Sequence, residues 1–237
     1  MLNVTIWNEF IHEKEHKDIA EIYPDGIHGE LARFLGTDEK LSITTATLDM
    51  EEHGLPKEVI DNTDVLIWWG HSAHDKVSDE VAQRVQEAVL KGMGLIVLHS
   101  GHLAKPFKLL LGTSCTLLWR DNDRERIWCC NPSHPIAKGI PAHFELEREE
   151  MYGEFFDIPK PDDIIFLGWF KGGEVFRSGV TFTRNRGKIF YFQPGHESFP
   201  TYHNEFIRKI IHNAVHFVSP TEKIEKLDCP NPQPLEQ

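Results

Sequence analysis

The chain has 237 residues, with 25 Lys and Arg against 37 Asp and Glu, and a formal net charge of −12 when its 14 histidines are neutral. That length suits one large α/β domain with ample burial on folding, so no disulfide or metal staple is needed. The acidic balance argues against a nucleic-acid partner, which needs a basic footprint, and no stretch reaches the apolar length of a membrane span.

Leu2–Trp7 predicts a first strand, without the charged leader and apolar core of a signal peptide, so a cytoplasmic location is expected. A polar turn from Asn8 to Lys17 follows, rich in Glu and His. Its His12 and His16, with Glu9, Glu13 and Glu15, have helical i, i+4 spacing, but H-E-x-x-x-H is not the zincin H-E-x-x-H. Ile27 to Leu35 predicts a helix closed by Gly36. Leu41–Thr47 is β-branched and strand-like. Val65–Trp69 suits a strand buried on both faces. Val81, Val85, Ala88 and Val89 mark one face of a helix. Gly92 and Gly94 then precede a strand at Leu95–Leu98, and Leu103 to Leu111 is a short helix ending at Gly112. Strand–helix alternation of this kind builds a parallel sheet.

From Cys115 to about Thr183, short β-like pieces between Gly and Pro turns predict an antiparallel insertion. Lys188–Gln193 returns to a central strand, Phe206 to Phe217 closes the fold as a helix, and the Pro-rich, charged stretch after Ser219 is a loose or docked tail. The expected organisation is one domain over residues 1–219, with the insertion at 115–183, and a tail at 220–237. Cys115, Cys129, Cys130 and Cys229 form no C-x-x-C pair and read as reduced structural thiols.

Three predicted strands stop at histidine-bearing turns: Trp68 to Asp75, Leu95 to His102 and Phe190 to Glu197. Ligands of open parallel sheets bind beyond the carboxyl ends of the strands. Three such turns therefore predict one pocket lined by imidazoles, which bind metals and move protons near neutral pH. If helical, His71 and His74 share a face beside Asp75 and could hold one metal. His99 lies where a strand turns sharply, the geometry of a nucleophile elbow, but Leu98 replaces the first glycine of G-x-S-x-G. Ser100 is then a nucleophile or the cap of the helix near Leu103. Glu197 beside His196 suits a general base. Glu149 to Glu154 is an acidic knot that either serves a site or forms a solvated charge run. Arg177 either pairs with an acid or clamps a substrate oxygen. Trp68 and Trp69 supply core or a substrate platform.

Ile6 to Glu9, Tyr23 to His28, Asp64 to His74, Gly92 to His102, Asn131 to Ile136, Glu150 to Glu154, Gly172 to Gly179 and Pro194 to Glu197 occur in one order. Together they resemble the ThuA-like, trehalose-utilisation family over nearly the whole chain. The resemblance implies a fold similar to class I glutamine amidotransferases and a role around trehalose, related disaccharides and their oxidised forms. Those amidotransferases carry Cys at the elbow and a His-x-Glu pair after a late strand. Here His99 stands at the elbow and Glu197 directly follows His196, so glutamine hydrolysis is not expected.

The expected fold is therefore a flavodoxin-like, amidotransferase-like parallel sheet flanked by helices, with an antiparallel β insertion. His99, His196, Glu197 and Glu150 are the catalytic candidates. His71, Trp69, Tyr152 and Arg177 are the substrate contacts. His71, His99, His102 and His196 are the metal candidates, for a divalent ion with zinc favoured, and no nucleotide cofactor is expected. The partners expected are a small sugar and, as an allowed assembly, further copies of the chain. The expected function is an enzyme acting on a sugar or keto-sugar derivative. A non-catalytic sugar-binding or regulatory protein is the alternative. A covalent hydrolase would need Ser100 or Cys115 within hydrogen-bond reach of His196.

Overall fold

The β-branched and apolar runs of the N-terminal half form parallel strands in a computed structural model that describes residues 1–236. β1 (Leu2–Asn8) is followed by α1 (His12–Glu15), α2 (Lys17–Ile22) and α3 (Gly26–Leu35), then β2 (Leu41–Thr47). α4 (Lys57–Asn62), β3 (Val65–Trp69), α5 (Asp79–Leu90), β4 (Gly94–Leu98) and α6 (Lys105–Leu111) continue the alternation. β5 (Leu118–Cys129), β6 (His143–Gly153), β7 (Asp163–Phe170), β8 (Val175–Arg184) and β9 (Gly187–Phe192) precede α7 (Glu205–Val218).

These strands form one nine-stranded sheet in the order β2-β1-β3-β4-β9-β8-β7-β5-β6. The first five are mutually parallel and the rest are antiparallel. The segment expected as an antiparallel insertion is thus a lateral extension of the same sheet. β9 joins the halves, pairing in parallel with β4 and antiparallel with β8.

Side-chain alternation divides the core into two layers. Val65, Ile67 and Trp69 of β3 pack with α3 and α7, while Leu66 and Trp68 face α5 and α6. Both tryptophans are core, and Trp68 stacks on Trp7 with centroids 3.9 Å apart. Ser78 caps α5 by accepting from the Val81 amide. Gly112 ends α6 in the left-handed region, at φ 71°.

The polar turn expected from Asn8 to Lys17 instead folds into α1 and the start of α2. Buried Glu13 supports it, accepting from the Ile27 amide and the Asn8 side chain. The tail begins docked: Ile224 N–H donates to Lys91 O, and Lys223 Nζ lies 2.6 Å from Asp64. Its last residue, Gln237, lies outside the described residues. Among the described residues no helix is long and apolar enough to cross a membrane.

Register fixes where the turns meet. Asn8 aligns with Trp69, Trp69 with Leu98, and Leu98 with Phe192. The next residues, Glu9, Gly70, His99 and Gln193, therefore form a row along one end of the sheet.

Candidate functional site

Buried carboxylates shape two of the three turns. Glu9, just past β1, accepts from the amides of His71, Ser72 and Ala73 at 2.9–3.0 Å, and so fixes the turn after β3. Burial pushes its carboxyl up, but these donors hold it below its ordinary value. Glu149 of β6 does the same for the turn after β9, accepting from the amides of Gly195 and His196 and from the Thr201 hydroxyl. The third turn follows β4. His99 there has φ 51°, an uncommon left-handed conformation for a residue with a Cβ. It is held by the Tyr191 hydroxyl donating to its carbonyl, and by its own Nδ1 donating to Gln193 O at 2.9 Å.

The three turns converge. The ring centroids of His71, His99 and His196 lie 5.2–6.0 Å apart. Glu150 arrives from β6, and its Oε2 is 3.0 Å from His99 Nε2. One ligand atom from each of His71, His99, Glu150 and His196 lies within 4.8 Å of the others. Glu150 is 5% exposed, so the acidic knot is not a solvated charge run at this position. Burial would raise its carboxyl, but His99 beside it, with His196 and His71, holds it down at about 2. Burial opposes the charge of His99, which Glu150 nevertheless raises above the ordinary imidazole value.

Behind this cluster, Glu197 Oε1 lies 2.8 Å from His12 Nδ1 and 3.3 Å from His71 Nδ1. His71 Nδ1 also faces His12 Nδ1 at 3.4 Å, and a proton on His71 Nδ1 directed at the Glu197 carboxylate would leave the lone pair on Nε2. His99 has the same arrangement, with its Nδ1 proton on the Gln193 carbonyl. His196 is reversed: its Nδ1 accepts from the Ser198 amide at 3.1 Å, so the neutral ring carries its proton on Nε2. Burial, then the charge of His99, lower its pKa to about 4.

The other expected residues separate from this cluster. His102, expected as a ligand, is outside the metal-competent group. It donates from Nδ1 to Cys115 O at 2.6 Å and lines the neighbouring cavity. Trp69, expected to contact substrate, is 1% exposed and donates to Gly195 O, so it anchors the His196 turn from within the core. Arg177, expected as a substrate clamp, is held by both Glu154 oxygens, at 2.7 and 2.8 Å, and donates to Phe156 O. Tyr152 stacks on His99 at 5.2 Å and lines the cavity. His71 lies in a loop, and His74 sits in a separate 3-10 turn, so the helical pairing of the two does not occur. The Ser100 hydroxyl donates to Gly70 O, and Cys115 Sγ contacts Thr113, so neither has the hydrogen bond to His196 that a covalent hydrolase requires.

The cluster floors a cavity of about 520 Å³ that includes Trp119, Asp121, Tyr152 and His102 in its lining. A larger groove of about 760 Å³, between Ser72 and Leu109, contains none of the cluster imidazoles. The smaller cavity is the one joined to the chemistry. Two other groups have metal-competent spacing: His12, His71 and Glu197 inside the site, and Asp38, His212 and His216 on the surface.

His102 gives a measurable stability effect. Burial lowers its pKa from 6.5 to about 3. The unfolded chain therefore binds a proton that the folded chain refuses, and stability is complete above about pH 6.5 and lost as pH falls towards 3. From pH 7.5 to 5.5 this single residue should remove roughly 1.4 kcal/mol. His102→Gln should flatten the pH dependence of urea unfolding by that amount. Parallel curves for variant and wild type would exclude this account.

The family model described as ThuA, trehalose utilisation, matches residues 3–218. No curated protein matches the chain. Among solved structures, a ThuA-like protein from Parabacteroides merdae is 14% identical, with 94% of this chain and 92% of that one covered and a TM-score of 0.68. A cytoplasmic protein from Salmonella typhimurium is 12% identical, over 93% of this chain and 100% of that one, with a TM-score of 0.63. A glutamine amidotransferase from Thermotoga maritima is 9% identical, over 92% and 97%, with a TM-score of 0.51. At these identities the structural likeness establishes the fold alone.

Proposed function

The chain belongs to the ThuA, trehalose-utilisation family, and on that premise we propose that it is an enzyme acting on a disaccharide or keto-sugar derivative at a divalent-metal centre. The observation that carries this reading is Glu150 Oε2. It is buried 3.0 Å from His99 Nε2, and while His99 is neutral with its proton on Nδ1 no hydrogen-bond donor satisfies it among the described residues. A buried, unsatisfied carboxylate oxygen is costly unless something neutralises it. A cation bound there would accept lone pairs from Glu150 and from the Nε2 atoms of His71 and His99.

Two imidazoles and one carboxylate form a recurrent catalytic zinc set. Carbonyl and carboxylate partners on the far ring nitrogens are the usual orienting groups for such ligands; here these are Gln193 O for His99 and Glu197 for His71. A bound divalent ion would polarise a substrate oxygen or lower the pKa of a bound water. His196, expected from sequence as a fourth ligand, is better suited to another role. The Ser198 amide occupies its Nδ1, so its Nε2–H can donate to a developing oxyanion or leaving oxygen. Tyr152 packs flat on His99 and keeps water from that side of the ring. Glutamine hydrolysis is not part of this reading, since His99 occupies the elbow where those enzymes place cysteine.

The test is turnover. Protein stripped with chelator and refilled with zinc would be incubated with trehalose, related disaccharides and their keto forms, and products followed by chromatography. Conversion is expected only in the refilled sample and should fall by at least about 10³-fold in Glu150→Gln. Sugar binding without conversion by the metal-loaded protein would reject the enzyme in favour of a binding protein.

A further inference from the structure

We propose that the cavity above the cluster holds a pyranose ring stacked on Trp119, with His102 Nε2 accepting a hydrogen bond from one of its hydroxyls. This rests on the sugar-directed reading above and specifies how the sugar is held.

Trp119 is 64% exposed, an unusual state for the largest apolar side chain, and it lines the same cavity as His71, Glu150 and His196. Its strand pairing explains its position. Trp119 lies directly opposite Tyr152 in the β5–β6 ladder, and opposed residues share a face of the sheet. Tyr152 is the residue stacked on His99, so the indole extends the same wall outwards to the rim. A flat indole left open to solvent at a cavity mouth offers a surface for a ring with an apolar face.

The polar groups select among such rings. His102 Nδ1 gives its proton to the Cys115 carbonyl, which can only accept. The proton is fixed there, and Nε2 keeps its lone pair. Burial keeps the ring neutral, with a pKa of about 3. Asp121, also in the lining, adds an acceptor, and His196 Nε2–H a donor. A cavity with an aromatic wall and both kinds of polar group suits a ligand whose edge is rich in hydroxyls, which donate and accept, and whose face is C–H. A pyranose meets both conditions. A nucleobase would stack equally well but brings ring acceptors to the same edge.

Isothermal titration with trehalose, glucose and adenosine would test this on the zinc-loaded full chain, with metal content measured in parallel. Trp119→Ala, at an exposed position, should fold normally, keep its metal and bind trehalose about tenfold or more weakly. Trp119→Tyr should stay within roughly threefold of wild type, because a stacking face remains. His102→Leu removes the acceptor and should weaken binding by a similar factor at unchanged metal content. Wild-type affinity in both Trp119→Ala and His102→Leu would overturn the proposal while leaving the metal centre and turnover intact. Adenosine binding in place of either sugar, or no sugar binding by the wild type, would overturn the proposal together with the sugar-directed reading.

Discussion

Glu149→Ala is expected to cost about 4 kcal/mol of folding stability and to abolish activity in the molecules that still fold. Glu149 is fully buried and accepts four hydrogen bonds: from Gly195 N at 3.0 Å, His196 N at 3.1 Å, Glu150 N at 3.0 Å and the Thr201 hydroxyl at 2.7 Å. Each buried donor left without an acceptor costs roughly 1–3 kcal/mol, and local relaxation recovers part of the sum. Burial pushes this carboxyl above its ordinary value, against the charge of His99 and the Thr201, Glu150 and His196 donors, which pull it down. Glu149→Gln keeps one acceptor oxygen but aims an amide N–H₂ at the remaining donors, and should cost about 2–3 kcal/mol. The functional consequence follows from what the bonds hold. The turn from Pro194 to Thr201 carries both His196 and Glu197, so its loosening moves a proton donor and the carboxylate behind His71. Urea unfolding of wild type and both variants, with turnover normalised to folded protein, measures the two effects. Wild-type stability in Glu149→Ala would show that the turn does not depend on this carboxylate.

Much of the fold was legible because period and punctuation agree along the first half of the chain. Leu41–Thr47 and Val65–Trp69 are bounded as the β-branched and apolar runs predict. The helix marked by Val81, Val85 and Val89 begins at its Ser78 cap. The second half gives the strands but not their connection. Alternation cannot distinguish a separate antiparallel layer from one that continues the parallel sheet, because the join is made by β9 pairing on both edges. The site was legible at the strand ends, since His71, His99 and His196 each follow a buried run. The supporting groups were not. Glu9 looked like part of a charged helical stretch with His12 and His16, whereas it is the first residue past β1 and faces the turn after β3. The first strand runs one residue past its predicted end, to Asn8, and only with that end does counting past the parallel strands place Glu9 in the same row as His99. Glu149 carried no such signal: a buried acid in a run of Glu reads like a solvated one until its donors are known. His102 misled for the opposite reason. It follows a strand as His99 does, but the 3-10 turn from His99 to Leu103 directs its Nδ1 to the Cys115 carbonyl.

Metal content should fall as pH drops from 7.5 to 5.5, and His99 should govern the fall. A ligating imidazole must be unprotonated, so protons compete with the ion near the free-imidazole pKa of about 6.5. Burial lowers the pKa of His71. For His99 the neighbouring Glu150 outweighs burial and raises it. In the metal-free site His99 is therefore protonated before His71 as pH falls, and its proton is the one the ion must displace. Glu150→Gln removes the anion that favours the imidazolium. Two changes should result: weaker binding at pH 7.5, from the lost ligand, and a break in the plot of log Kd against pH shifted to lower pH. A general weakening of the fold would not shift that break downwards. His71→Ala, His99→Ala and Glu150→Ala should each lose at least about 10²-fold in affinity, since changes to groups that merely orient a ligand already cost 10–100-fold. His102→Ala and His16→Ala should retain the metal. His212, which sequence alone places on a surface-helix face, makes a poor control. It shares Asp38 Oδ2 with His216, both at 2.9 Å, in a group that can hold an ion of its own. Every variant should therefore be made in a His212→Ala, His216→Ala background, with metal measured by elemental analysis after purification without chelator. Equal metal content in all variants at both pH values would eliminate the centre and leave His71 and His99 as hydrogen-bonding groups of the cavity.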